Sequence, residues 1–176
     1  MLKDFFETWK NVINTINLQS EWRDIVFYSE GPWLTSHFNP LIKELCDGRS
    51  KKITLLTSST EDKINLSNKD NLKTIYIGSE SARTYLFRKF NAKLVIMSTP
   101  NLQNMQLKKE KGTKYYYLHH SPCSTHMIYE DNAFDHFEGM FCIGPYQKNE
   151  VLEREMRNPI YKKNLLESGY PNFDNL

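Results

Sequence analysis

Ile25-Val26-Phe27-Tyr28-Ser29 is followed by Gly31-Pro32, by an apolar series Phe38, Leu41, Ile42, Leu45 and Cys46 that closes at Gly48, and by Ile53-Thr54-Leu55-Leu56-Thr57. The two outer runs are short, β-branched or aromatic, and lack polar alternation, which is the pattern of strands buried on both faces. The series between them repeats at spacings of three and four, so after a Gly31-Pro32 turn it predicts one apolar face of a helix closed by Gly48. A strand, a helix and a second strand of these lengths leave room for a crossover, and crossovers make parallel neighbours.

The rhythm continues along the chain. Further strands are predicted at Thr74–Ile77, Lys93–Met97, Lys114–Leu118 and Gly139–Ile143, with a short last one at Asn164–Glu167. Gly78-Ser79 opens a helix through Tyr85, Leu86 and Phe90, and Gly144-Pro145 opens another through Val151, Leu152 and Met156. The fold class is therefore α/β: a Rossmann-like open, mostly parallel sheet with helices on both faces, spanning residues 19–176. An amphipathic helix over residues 1–18 precedes it, with Leu2, Phe5, Phe6, Trp9, Val12, Ile13 and Ile16 on one stripe. That stripe packs on its own domain or lies on a membrane surface or partner; its polar side lacks the Lys and Arg enrichment usual for interfacial helices.

Composition narrows the class without naming a function. The chain has 176 residues, about one domain's length, and 23 basic against 21 acidic side chains, a balance that gives no electrostatic case for nucleic-acid binding. The three cysteines, Cys46, Cys123 and Cys142, are odd in number and not closely paired, which points to a reducing compartment. No run reaches the roughly 18 apolar residues of a membrane span, and no signal-peptide core is present at the start. No cofactor is implied: there is no G-x-G-x-x-G, no P-loop and no G-x-S-x-G elbow.

Ligands of open α/β sheets bind beyond the carboxyl ends of the strands. Applied to the predicted strands, this rule collects Ser29-Glu30-Gly31, Thr57 to Thr60, Gly78-Ser79-Glu80, Ser98-Thr99-Pro100, His119-His120-Ser121 and Gly144-Pro145 on one rim. Backbone N–H groups at helix starts such as Gly31, Ser79 and Gly144 suit an anion. Within the rim, His119 to His126 holds three of the five histidines. His120, Cys123 and His126 could share a helical face and a metal, but no second ligand pair follows. Cys123 with His126 is either a nucleophile pair or an inert thiol beside a histidine. A neutral histidine accepting the proton of an attacking hydroxyl is the better functional reading, and spacing leaves His119 and His120 both open for it. Lys108, Lys109, Lys111 and Lys114 make the segment 101–114 basic, as a solvated or an anion-contacting loop.

Several of these stretches occur in order: Ser98-Thr99-Pro100-Asn101-Leu102, Tyr115-Tyr116-Tyr117-Leu118-His119-His120-Ser121-Pro122-Cys123-Ser124-Thr125-His126, Phe134-Asp135-His136-Phe137, Cys142-Ile143-Gly144-Pro145 and Ser168-Gly169-Tyr170-Pro171. Together they resemble the amino-terminal half of the CDP-glycerol glycerophosphotransferase family, whose members polymerise teichoic-acid and related capsular chains. The likeness covers residues 93–176, and residues 1–92 share only the βα rhythm.

It implies a GT-B architecture, with a carboxyl-terminal domain beyond residue 176 holding a CDP-activated polyol donor and this chain contacting a polymer or lipid-linked acceptor. The family's Trp-His-Gly motif falls at His119-His120-Ser121, so the resemblance makes His120 the base. Gly31, Ser79, Ser98, Thr99, His119, Ser121, His126 and Gly144 are then the candidate substrate contacts, with Lys108 or Lys109 near phosphate and no metal required. A cytoplasmic protein, with peripheral contact to the membrane's inner face, is the implied location. A nucleotide-sugar glycosyltransferase domain and a non-catalytic binding domain are the alternatives, since fold does not fix function.

Overall fold

In the computed structural model, which describes residues 2–64, 66, 69–78, 80–103, 107–158 and 162–170, every predicted strand forms. They are β1 (Ile25–Ser29), β2 (Ile53–Thr57), β3 (Leu72–Tyr76), β4 (Leu94–Met97), β5 (Lys114–Leu118), β6 (Gly139–Cys142) and β7 (Asn164–Glu167). One sheet holds all seven in the order β3-β2-β1-β4-β5-β6-β7, with every neighbouring pair parallel. β3 begins two residues earlier than its apolar run suggests, because Leu72 and Lys73 pair with Ile53 and Thr54 at the sheet's edge. The chain builds outward from β1 to β3, then returns to place β4 on the other side of β1. Loops leaving β1 and β4 therefore run in opposite directions, which makes their carboxyl ends the topological switch point where the crevice of an open α/β sheet binds ligands.

Among the described residues the α-helices are α1 (Leu2–Ile16), α2 (Pro32–Lys43), α3 (Glu80–Phe87), α4 (Thr125–Ile128) and α5 (Pro145–Arg157). A π-helical turn, Glu44–Gly48, extends α2 to the predicted Gly48 end. Pro32 suits the first turn of α2, where its missing N–H would have had no helical acceptor. Leu34, Phe38 and Ile42, spaced by four, bury fully against Phe27, Ile53 and Leu55 on one face of the sheet. Across β5 to β7 the same face is thinly covered: Tyr116 and Phe141 are half-buried and Leu166 is exposed.

The opposite face packs against α1, α3 and α5 through Val12, Leu86, Phe87 and Val151. The first helix thus belongs to the folded body. Its Asn11 side chain donates to the Tyr76 carbonyl at 3.1 Å, and Trp9 meets Tyr85 of α3 at 5.5 Å between ring centres. Phe5, Phe6 and Ile13 stay on the outside, because the apolar stripe is wider than the groove that receives it. Gly139 permits the close approach of β5, β6 and β7: a Cβ there would lie 2.7 Å from the Asn164 carbonyl and inside the Tyr116 ring contact.

Candidate functional site

β5 ends at the rim, and its alternation decides what the adjacent histidines do. Tyr115 and Tyr117 point into the core shared with α3 and α5, and His119 follows them. His119 is buried, edge-on to Tyr117 at 4.9 Å, Phe134 at 5.9 Å and Tyr129 at 6.5 Å. Neither ring nitrogen has a hydrogen-bond partner among the described residues. Burial, reinforced by the neighbouring His120, pushes its pKa down to about 4. His119 is therefore a neutral core residue. Thr99, two residues beyond the Met97↔Tyr117 pair as His119 is, also has a buried hydroxyl without a partner among the described residues.

His120 lies instead beneath α2. Its ring meets Trp33 at 5.4 Å and His37 at 6.0 Å between centres, and its carbonyl accepts from the Tyr170 hydroxyl at 3.3 Å. His37 in turn faces the Tyr170 ring at 5.8 Å. Nδ1 of His120 sits 3.5 Å from the Tyr117 hydroxyl. Burial lowers the pKa of both His120 and His37, and the nearby His37 lowers that of His120 further. At neutral pH His120 is an uncharged imidazole at the edge of the β1/β4 crevice, able to take up a proton. Trp33 keeps 60% of its surface exposed, and its indole lies where a Cβ on Gly31 would touch it at 3.4 Å.

Sequence reasoning missed Trp33, His37 and Tyr170 as members of this group. The signal was present: Trp33 and His37 are spaced by four on the helix that leaves β1 at the switch point.

The remaining predicted contacts divide. Gly31 starts α2, but its N–H donates to the Ser29 hydroxyl at 3.1 Å, so that amide is already engaged rather than offered to an anion. Ser98 is buried and donates to the Leu118 carbonyl at 2.6 Å, bracing β4 to β5. Ser121 accepts through its carbonyl from Gln147 at 3.3 Å. His126 lies on α4, its ring nitrogen 2.9 Å from the Glu150 carbonyl, and Gly144 starts α5. Ser79 and Pro171 lie outside the described residues.

His120, Cys123 and His126 do not share a helical face, because α4 begins only at Thr125. No hydrogen bond joins the Cys123 thiol to a histidine among the described residues. The Lys109 ammonium pairs with Glu138, whose carboxylate accepts from the Tyr115 amide at the start of β5. The 101–114 segment returns to the amino end of the next parallel strand, which places Lys114 at the start of β5 and the Lys109 ammonium beside Glu138, opposite the rim.

One further rim feature is the buried guanidinium of Arg83, which donates to Glu30 at 2.8 Å and to the Tyr28 hydroxyl at 3.2 Å. Cavities of about 420 and 450 Å³ open near Asn132 and Asp135, and of the predicted site residues only His126 lines either. Compared with protein-family models, curated proteins and solved structures, the chain matches none.

Proposed function

We propose that this chain is the acceptor-side domain of a transferase that moves glycerol phosphate, or a related polyol phosphate, from a CDP-activated donor to a hydroxyl of a cell-surface polymer. One observation carries the reading: His120 is half-buried, ringed by Trp33 and His37 at the β1/β4 crevice, with its pKa lowered. Of the two adjacent histidines it is the one open to a substrate, and it is the one to which the motif resemblance gives the role of base.

In this mechanism His120 takes the proton of the acceptor hydroxyl as that oxygen attacks the donor's β-phosphorus. The new P–O bond forms while the bond to the cytidine monophosphate oxygen breaks, and the nucleotide leaves with the electron pair. The imidazolium then returns its proton to solvent. Such a displacement depends mainly on alignment and charge neutralisation. The rings around His120 supply alignment, while Arg83 is matched by Glu30 and Lys109 by Glu138. Phosphate charge is thus left to the donor-binding partner domain.

The test is titration of the ¹⁵N-labelled chain with an oligomer of glycerol phosphate. The reading expects selective shifts of the Trp33 indole and His120 ring signals. Binding that leaves both unmoved, or no binding at millimolar oligomer, overturns it.

A further inference from the structure

His120 has two nitrogens, and a neutral imidazole carries a proton on only one, so a base needs the bare nitrogen to face its substrate. Nδ1 is the nitrogen near Tyr117, at 3.5 Å, and Nε2 has no hydrogen-bond partner among the described residues. A long contact of this kind is common before substrate binds. The Tyr117 hydroxyl also meets the Tyr129 hydroxyl at 3.0 Å. Tyr117 itself is fully buried, its ring fixed by Phe134 at 4.8 Å and Phe137 at 5.5 Å. Tyr129 is half-buried, at the wet end of the chain.

We infer that Tyr117, backed by Tyr129, is a positioning residue that fixes which nitrogen of His120 carries the proton and which is left bare. Three groups in line allow two directions of donation. A phenol at the wet end donates to water more readily than it accepts, which leaves the Tyr129 oxygen to receive the Tyr117 proton. Tyr117 then presents its own oxygen to His120, and Nδ1–H donates to it. Nε2 is left bare.

When Nε2 takes the acceptor's proton, Nδ1–H stays where it was, and the imidazolium keeps its bond to a neutral phenol. Burial holds the Tyr117 hydroxyl protonated well above the usual phenol range, so no proton passes to the tyrosines. His37 and Trp33 face the ring from α2 at 6.0 and 5.4 Å between centres, and the Tyr170 hydroxyl meets His120 at its backbone carbonyl.

This inference rests on the same histidine as the proposed reading, but its measurement needs no substrate. Long-range ¹H–¹⁵N correlation spectra of the chain, with His120 identified by the signals lost in His120→Gln, report the tautomer directly. The ratio of Nδ1–H to Nε2–H should be about fivefold higher in wild type than in Tyr117→Phe, which keeps the ring, because that is the shift one hydrogen bond of ordinary net strength imposes. Tyr129→Phe should reverse it, because the Tyr117 proton then has only Nδ1 to bond.

A wild-type ratio no higher than that of Tyr117→Phe overturns the inference, as does a Tyr129→Phe ratio identical to wild type. Those results would leave the transferase reading standing. Failure of acceptor binding with the tautomer as stated would overturn the reading and leave the inference.

Discussion

His119 gives the account a quantitative handle that does not depend on catalysis. Its pKa is pushed from 6.5 to about 4 in the folded chain because burial excludes the charged ring. In the unfolded chain it titrates in the ordinary range, so as pH falls the unfolded state takes up the proton first. Stability from this residue is complete above about pH 6.5 and is lost toward about pH 4, about 3 kcal/mol in all. Between about pH 7 and about pH 5 the loss is about 2 kcal/mol. Replacing His119 by Phe keeps a ring among Tyr117, Tyr129 and Phe134 and removes both unpartnered nitrogens.

Urea unfolding at the two pH values should therefore show that His119→Phe loses about 2 kcal/mol less than wild type on acidification. At about pH 7 the variant should match or exceed wild type by about 1–2 kcal/mol, the cost of leaving buried polar atoms unpaired. His37 and His120 also have lowered pKa values and contribute acid sensitivity of the same sign, but both are present in the two proteins, so the difference isolates His119. Equal pH dependence in the two proteins would refute the assignment of His119 as a neutral core residue.

Three further outcomes follow from the packing and the proposed division of labour. The chain alone should release no cytidine monophosphate from CDP-glycerol, even with acceptor present; measurable release refutes the dependence on a donor-binding domain. Gly139→Ala should lower stability by about 1–3 kcal/mol, since a Cβ meets the Asn164 carbonyl and the Tyr116 ring, and an unchanged urea midpoint would contradict that contact. Removing residues 1–18 should prevent cooperative folding, because it strips Val12 from the core and the Asn11 bond from Tyr76. A well-folded truncated chain that has lost only liposome binding would favour the interfacial role instead.

The central strands were legible because each is a compact apolar run buried in the sheet, whereas β7 at the thinly covered edge offers only Leu165-Leu166. β3 was read late because Leu72-Lys73-Thr74 alternates with polar side chains at an edge, where pairing and not hydrophobicity marks the start. The rim was legible from strand ends, but side-chain direction was not. His119 and His120 are neighbours in sequence, and only the pleat and the position of α2 send one inward and the other to Trp33. Lys109 read as a rim cation because charge along the chain does not show that a crossover has returned to the amino end. His37 was hidden on a helix whose Leu34, Phe38 and Ile42 core stripe carries the obvious periodicity.

The central claim is that His120 is the base on the acceptor side. Its most direct test is cytidine monophosphate release from CDP-glycerol, with a glycerol-phosphate acceptor, by protein carrying this chain together with a donor-binding domain. His120→Ala should cut turnover by at least about a hundredfold, the contribution of a general base, with donor affinity unchanged. Near-normal turnover in that variant would contradict the account.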